Sequence, residues 1–352
     1  MELSIVKPGM LTSVQDLGRW GYQASGVPVA GAMDLPALRM GNVMVGNEEG
    51  AAALEVTLMG PEITLAGEGC AVFAGAELGF SVNGREIGSW TVTVLKDGDV
   101  ISFKGPKGKG CRGYICFGGG VDVPLVMGSR ATYTRAKIGG YEGRALKAGD
   151  ALKTGEPSPL WRRMDGFTIP ADMKPDYNPD KPLGILVGLQ ADFFTEEGLK
   201  TLFESEYTLS SESDRMGCRF EGPKVQHKEA GADIVSDGIP LGTVQIPGHG
   251  LPIAMLADRQ TTGGYTKVGV LTPAAIQALV QRMPGMKARF ERATEESAIG
   301  ELNAVKETVD KIYQARMSYV SRADIYGQKA LSSDLKITLN GKVYEVRCEE
   351  IQ

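Results

Sequence analysis

Residues 53–84, ALEVTLMGPEITLAGEGCAVFAGAELGFSVNG, decide the fold class. They contain four short apolar or β-branched runs, ALEVTL, EITLAG, CAVFAGA and FSVNG, each followed by a glycine turn. Runs of this length, cut by turn residues, read as strands rather than helices. Asn83-Gly84 suits a two-residue hairpin, because both residues tolerate the positive φ that such a turn needs. The pattern continues outward through TVTVLKDGDVISF (91–103) and CRGYICFGG (111–119). Glycine supplies 47 of 352 residues, above the usual share of about 7%. That excess fits a fold rich in tight turns and barrel bends.

One helix is expected in this half, DLPALRMGNVMVG (34–46), with Asp34 as N-cap and Pro36 in the first turn. Residues 154–181 hold five prolines and few periodic apolar positions, so they read as a linker draped over a surface. Strands resume at LGILVGL (183–189). A second capped helix follows at TPAAIQALVQRM (272–283), stopped by Pro284-Gly285. Each half therefore has many short strands, one capped helix and one polar, glycine-laced cassette. The expected fold is mainly β, with two barrel domains at 1–180 and 181–293. The limits between them stay open, since N-terminal strands could complete the second barrel.

Residues 294–352 form a third expected unit, dispensable for folding of the barrels. Ile299, Leu302, Val305, Val309, Ile312 and Arg316 recur at helical spacing. LKITLNGKVYEVRCEEIQ (335–352) reads as a hairpin around Asn340-Gly341, with an apolar face of Ile337, Leu339, Val343 and Val346.

Composition excludes several function classes. A net charge of −5 offers no electrostatic reason to bind nucleic acid or an anionic membrane. No apolar run is long enough for a membrane span, and five cysteines without zinc spacing suggest a reduced, cytoplasmic setting. With only two histidines, His227 and His249, a three-histidine zinc site is impossible, and no metal site is expected. Gly108–Gly113 matches GxGxxG, but a strand-like run follows where a dinucleotide site needs a helix.

The chemistry concentrates in IPLGTVQIPGHGLPIAMLADRQTTGGYTK (239–267), which gathers Gln245, His249, Asp258, Arg259, Gln260, Tyr265 and Lys267. So many hydrogen-bonding groups around one strand end must find partners or face a cleft. Arg259 can take a carboxylate bidentately, Gln260 and Tyr265 can hold an amide edge, and Lys267 can stabilise an oxyanion. Asp258 or His249 can move a proton. The plainer reading makes Asp258-Arg259 a brace at a barrel mouth and His249 an incidental loop residue. The N-terminal cassette, TSVQDLGRWGYQASGVPVAGAMD (12–34), adds Gln15, Asp16 and Arg19, and SESDRMG adds Asp214 and Arg215. These either contribute to the same cleft or shape turns as Asx motifs and struts.

PGMLTSVQDLGRWGY, GVPVAGAMD, ALEVTLMGP, FGGGVDVPLVMGSRATY, SDRMGCR, SDGIPLGTVQIP and ADRQTTGGYTK, in this order over residues 1–292, resemble the biotin-dependent carboxyltransferase family. That family includes the C component of bacterial 5-oxoprolinase, allophanate hydrolase subunit 2 and half of the carboxyltransferase domain of urea carboxylase. The resemblance implies two cyclophilin-like β-barrels. It also implies ATP-dependent opening or carboxylation of a cyclic amide or urea-like substrate, with 5-oxoproline to glutamate foremost. ATP would be used by the complex, and biotin would be carried by another protein. The first implied partner is the B component of 5-oxoprolinase, a protein of the allophanate hydrolase subunit 1 type. The A component, a biotin carboxylase and a biotin carrier protein follow it. The 335–352 stretch resembles the opening hairpin of a biotin carrier domain, but the chain lacks the Met-Lys-Met that would carry biotin. The family also holds non-catalytic regulators that antagonise a kinase inhibitor, which is the alternative reading.

Overall fold

The computed structural model describes residues 1–326, 333–339 and 342–348, with side chains through residue 321. The mainly β class holds, with few helices. Strands from the first half form two sheets. One has seven strands and contains Glu2–Lys7, Glu62–Ala66, Val100–Phe103 and Ala151–Thr154. The other has five, in the order Leu11–Gln15, Ala53–Thr57, Arg112–Phe117, Gly69–Gly75, Thr93–Leu95. The N-terminal strand Glu2–Lys7 lies between Ala151–Thr154 and Glu62–Ala66, so it completes the first half rather than the second.

Strand Gly69–Gly75 is buried along its whole length, and the period of two explains why. Ala71 and Phe73 face the core shared by the two sheets, with Leu54, Ile63, Phe80 and Ile115. Cys70, Val72 and Ala74 face a second core on the outer side. That outer core is covered by helix α1 (Leu35–Met44), by the linker residues Trp161, Met164, Phe167 and Ile169, and by the C-terminal helix. Asp34 caps α1, accepting from the Ala37 amide at 3.1 Å. The hairpin at Asn83-Gly84 forms with Val82 opposite Arg85, both turn residues at positive φ.

The second half closes into a seven-stranded barrel. Its order is Leu183–Val187, Lys267–Leu271, Thr243–Gln245, Ile253–Met255, Gly217–Glu221, Glu206–Leu209 and Lys287–Ala293, which returns to Leu183–Val187 in parallel. Helix α2 (Glu196–Glu204), capped by Thr195, has no counterpart among the sequence expectations. Its nine residues bury only Gly198 and Leu202 fully, too weak an apolar period to stand out. Helix α3 (Pro273–Val280) starts at the expected Thr272 cap but ends three residues early. Gln281 leaves the helix to bond across to the first half, where its amide reaches Asp34 Oδ2 at 2.7 Å and the Arg112 carbonyl at 3.1 Å.

Helix α4 (Glu295–Tyr326) buries the later part of the expected face, Val309, Ile312 and Arg316, and leaves its first two positions exposed. Ile299 and Leu302 are each 56% exposed, whereas Ala298, Val309, Ile312, Arg316 and Val320 are buried. The helix leaves the second barrel and packs on the first half's outer core. It also caps two other helices. Glu301 accepts from the Ala274 amide at the start of α3 at 2.8 Å, and Arg316 donates to the Val43 carbonyl at the end of α1 at 2.6 Å. Each charge has the sign that the helix dipole favours at that end. The hairpin pairs Ser333–Leu339 with Lys342–Cys348 in antiparallel register, and Asn340-Gly341 lies outside the described residues. Val343 falls opposite Thr338 and Val346 opposite Leu335, so Val343 and Val346 are three positions apart and do not share one face.

Candidate functional site

A cavity of about 710 Å³ lies where the first half's cassette meets one end of the barrel. Trp20, Pro28 and Val29 form one wall. Gln190, Ile239, Arg259, Gln260 and Lys267 form the other. The barrel strands place these groups. Ile253–Met255 runs into the buried Leu256-Ala257, and the chain then turns, so Arg259 emerges at the strand end. A register shift between Thr243–Gln245 and Lys267–Leu271 pairs Gln245 with Lys267, and such bulges re-aim side chains. Gly263 packs close beside them, where a Cβ would come within 2.7 Å of Ile239 Cδ1 and 3.0 Å of Gln245 Nε2 and displace those side chains.

This wall carries unspent polar valence. Arg259 is 7% exposed and donates to the Ile239 carbonyl at 2.8 Å and the Leu256 carbonyl at 3.2 Å. It has no carboxylate partner among the described residues, and burial pulls its pKa down to about 10. Lys267 Nζ is buried without a hydrogen bond, 3.8 Å from the Asp237 carboxylate at the mouth. Gln260 Oε1 on the same wall and Gln245 Nε2 behind it are likewise buried without partners. Each such group costs about 1–3 kcal/mol when left unpaired, and those of Gln260 and Lys267 belong to residues that line the cavity.

Asp258 does not join Arg259. It lines a second cavity of about 540 Å³ between the halves, with Ser13, Arg112, Asp214 and Arg215. Both of its oxygens accept from Arg215, at 3.1 Å each. Arg215 also donates to Glu55, which is 2% exposed, and to the Gly31 carbonyl at 2.5 Å. Glu55 further accepts from Arg112 at 3.2 Å, the Tyr114 hydroxyl at 2.8 Å and the Met33 amide at 2.9 Å. Burial alone would raise the Glu55 pKa, but the Arg215 and Arg112 guanidiniums outweigh it and hold the carboxyl below its ordinary range. Burial raises the Asp34 carboxyl in spite of its bonds to Gln281 and Gln277.

The remaining residues singled out by the sequence lie elsewhere. His249 lines a separate depression with Ser210, Glu212 and Arg219, and its Nδ1 accepts from the Leu251 amide at 3.1 Å. His227, on the barrel wall, holds the Ile246 carbonyl at 2.9 Å, and burial lowers its pKa. Tyr265 sits 43% exposed on the outer ribbon that pairs with Asp233–Gly238. Asp214 accepts from the Met216 and Gly217 amides and pairs with Arg135 at the mouth of the second cavity. Gln15 donates to the Thr132 carbonyl at 3.2 Å, and Asp16 accepts from Gly18, Ser129 and Arg130. Arg19 is fully buried and donates to the Val126 and Ala131 carbonyls. Sequence reasoning misses Trp20, Gln190 and Asp237 at the first cavity, and Glu55, whose partners Met33, Arg112 and Arg215 line the second. Glu55 does leave a signal, as an acid inside the otherwise apolar strand ALEVTL. At GxGxxG the strand Arg112–Phe117 follows directly, with no helix for a phosphate.

Comparison with known proteins bears on this geometry. The family model "Carboxyltransferase domain, subdomain A and B" matches residues 25–292. The C component of 5-oxoprolinase from Escherichia coli K12 is 34% identical over 304 residues, covering 84% of this chain and 93% of that protein. Its Haemophilus influenzae counterpart, also a 5-oxoprolinase C component, is 33% identical, covering 81% and 89%. Among solved structures, the K. lactis urea amidolyase superposes with a TM-score of 0.81 at 29% identity, over 88% of this chain but 20% of that one.

Proposed function

This chain belongs to the family of carboxyltransferase domains built from subdomains A and B, and we propose that it serves as the C component of an ATP-dependent 5-oxoprolinase. The observation that carries this reading is the wall of the first cavity. Arg259 offers a cation with no counter-ion among the described residues, Gln260 an unused amide acceptor and Lys267 an unused donor. A five-membered lactam bearing a carboxylate has matching needs. Its carboxylate suits the Arg259 guanidinium, its ring N–H suits Gln260 Oε1, and its carbonyl suits Lys267 Nζ, where charge develops when the amide is attacked. The near-complete span of the two 5-oxoprolinase relatives supports the same choice over a urea-type substrate.

Biotin carried by another protein is the cofactor this reading leaves room for, since Arg259 and Gln260 also suit a ureido ring with a carboxyl group. When bound as carboxybiotin, it would supply an activated carboxyl group. ATP would be used by a partner, for the chain holds no phosphate loop of the GxxxxGK[ST] kind. Trp20 and Leu189, which line the cavity and are exposed by 58% and 98%, support a partner protein docking there.

The test is co-expression with the B and A components of a 5-oxoprolinase, followed by glutamate release from 5-oxoproline and ATP. Turnover by the assembled complex and none by this chain alone is expected. Carboxylation of urea by the complex, with no action on 5-oxoproline, would move the chain to the biotin-dependent branch. Tight binding of partners with no turnover on either substrate would favour the regulatory reading.

A further inference from the structure

We propose that Arg215, held in place by Glu55, is a positioning residue that sets the distance between the two walls of the first cavity. The inference rests on reading that cavity as the ligand site. One guanidinium here ties three segments from different parts of the chain. Its Nε and Nη2 hold both oxygens of Asp258, whose neighbour Arg259 lines the barrel wall. Its Nη2 also holds the Gly31 carbonyl, at the end of the loop whose Pro28 and Val29 line the opposite wall. Its Nη1 is fixed by Glu55 on the strand Ala53–Thr57.

The segments that Arg215 joins are stiff. Gly31 has φ +85°, and a Cβ there would come within 2.8 Å of the Gly18 amide nitrogen, so the carbonyl sits on a tightly packed loop. On the other side, the Asp258 amide donates to the Arg215 carbonyl at 2.9 Å and the Leu256 amide to the Met216 carbonyl at 2.9 Å. Movement of Arg215 therefore moves the turn that carries Arg259. Arg215 lines only the second cavity, so it acts on the first from behind, without touching a ligand there. Glu55 has no spare acceptor direction, because Arg112, Arg215, Tyr114 and the Met33 amide take them all. Only an ionised carboxylate can accept from four donors at this point.

Arg215→Lys tests the proposal. Lysine keeps a positive charge between Glu55 and Asp258 but cannot span Asp258, Gly31 and Glu55 together. Of the three tryptophans only Trp20 is exposed and lines the cavity, Trp90 and Trp161 being 3% and 8% exposed, so the change in emission on adding ligand or iodide reports on the cavity wall. Titration of the full chain with 5-oxoproline should show a dissociation constant raised about tenfold in Arg215→Lys, with KM of the assembled complex rising in parallel. Loss of folded molecules would shrink the amplitude and leave the midpoint in place, whereas a displaced wall moves the midpoint. If Arg215→Lys does not fold, Tyr114→Phe removes one donor to Glu55, and a smaller rise of about threefold is expected. An unchanged midpoint in whichever variant folds overturns the proposal. If the unsubstituted chain does not bind 5-oxoproline, the ligand assignment fails separately. The clamp is then judged by iodide quenching of Trp20, which should rise in the variant and overturns the proposal if it stays the same.

Discussion

The two polar cassettes, 12–34 and 239–267, look alike in sequence and behave differently in the fold. In the first, Gln15, Asp16 and Arg19 bond to backbone groups, Ser13 and Ser129, knitting loop 123–132 to the strand Leu11–Gln15, and the two buried atoms left unpaired, Gln15 Oε1 and Arg19 Nη1, belong to residues that line neither cavity. In the second, Gln260 Oε1 and Lys267 Nζ are unpaired on residues of the cavity wall, and Arg259 beside them has no carboxylate partner among the described residues. A cluster of polar residues is thus no sign of a site by itself. The sign is an unpaired group on a residue that lines a cavity, as Gln260 and Lys267 do and Gln15 and Arg19 do not. The first cassette still contributes to the cavity, but through Trp20, Pro28 and Val29, its apolar members.

The contrast can be broken by substitution. Arg259→Lys should lower kcat/KM of the complex by about a hundredfold, because the planar fork is lost where charge is bound. Its two backbone bonds also make it a brace, so a fall in Tm of a few degrees is expected beside the kinetic loss. A large fall in Tm with kinetics intact would move Arg259 to the structural cassette. Arg19→Ala should do the reverse, costing roughly 3–5 kcal/mol through two charged hydrogen bonds and a buried void. Activity per folded molecule should be retained, as measured by titrating active sites against the unfolding curve. An Arg19 variant with normal Tm and lost turnover would undo the contrast.

Truncation sharpens it from another side. Removing residues 330–352 should leave a soluble fold. Removing 294–352 should expose the outer core, since Val309, Ile312 and Val320 each contribute about 1.5–3 kcal/mol by burial. Equal solubility of the two truncations would show α4 to be an appendage after all.

Acid should act through Glu55. Its carboxyl is lower in the fold than in the unfolded chain, so its stabilisation is full above the unfolded value near 4.3. That stabilisation is lost as pH falls through the folded value. Asp34 has the opposite sign, because burial raises its carboxyl: its contribution is full below the ordinary carboxylate value and is lost as pH rises through the raised one. Glu55→Gln should flatten the acid limb of a Tm-versus-pH curve, while Asp34→Asn should not. The smallest effect is expected for His249→Ala, within about twofold in kcat/KM, because its imidazole faces a different depression. A tenfold loss there would reinstate His249 as a proton carrier.

Much of the fold was legible because its signals are local. Strand runs between glycines, Asn83-Gly84, and the Asp34 and Thr272 caps all act within a few residues, and each forms where the sequence places it. The cassette of residues 239–267 was likewise legible as chemistry-bearing, since strand-end polar density needs no partner to be noticed. What the sequence could not contain was the pairing of residues far apart. Glu55 with Arg215, Asp34 with Gln281, and Arg316 with the end of α1 join positions 160, 247 and 273 residues apart. Helical spacing marked α4 as amphipathic, but the neighbouring sheet and helix chose which stripe it buries. Adjacent in sequence, Asp258 and Arg259 face two different cavities, because they lie in the turn after Ile253–Met255 and only the packed halves define what lies on each side of it.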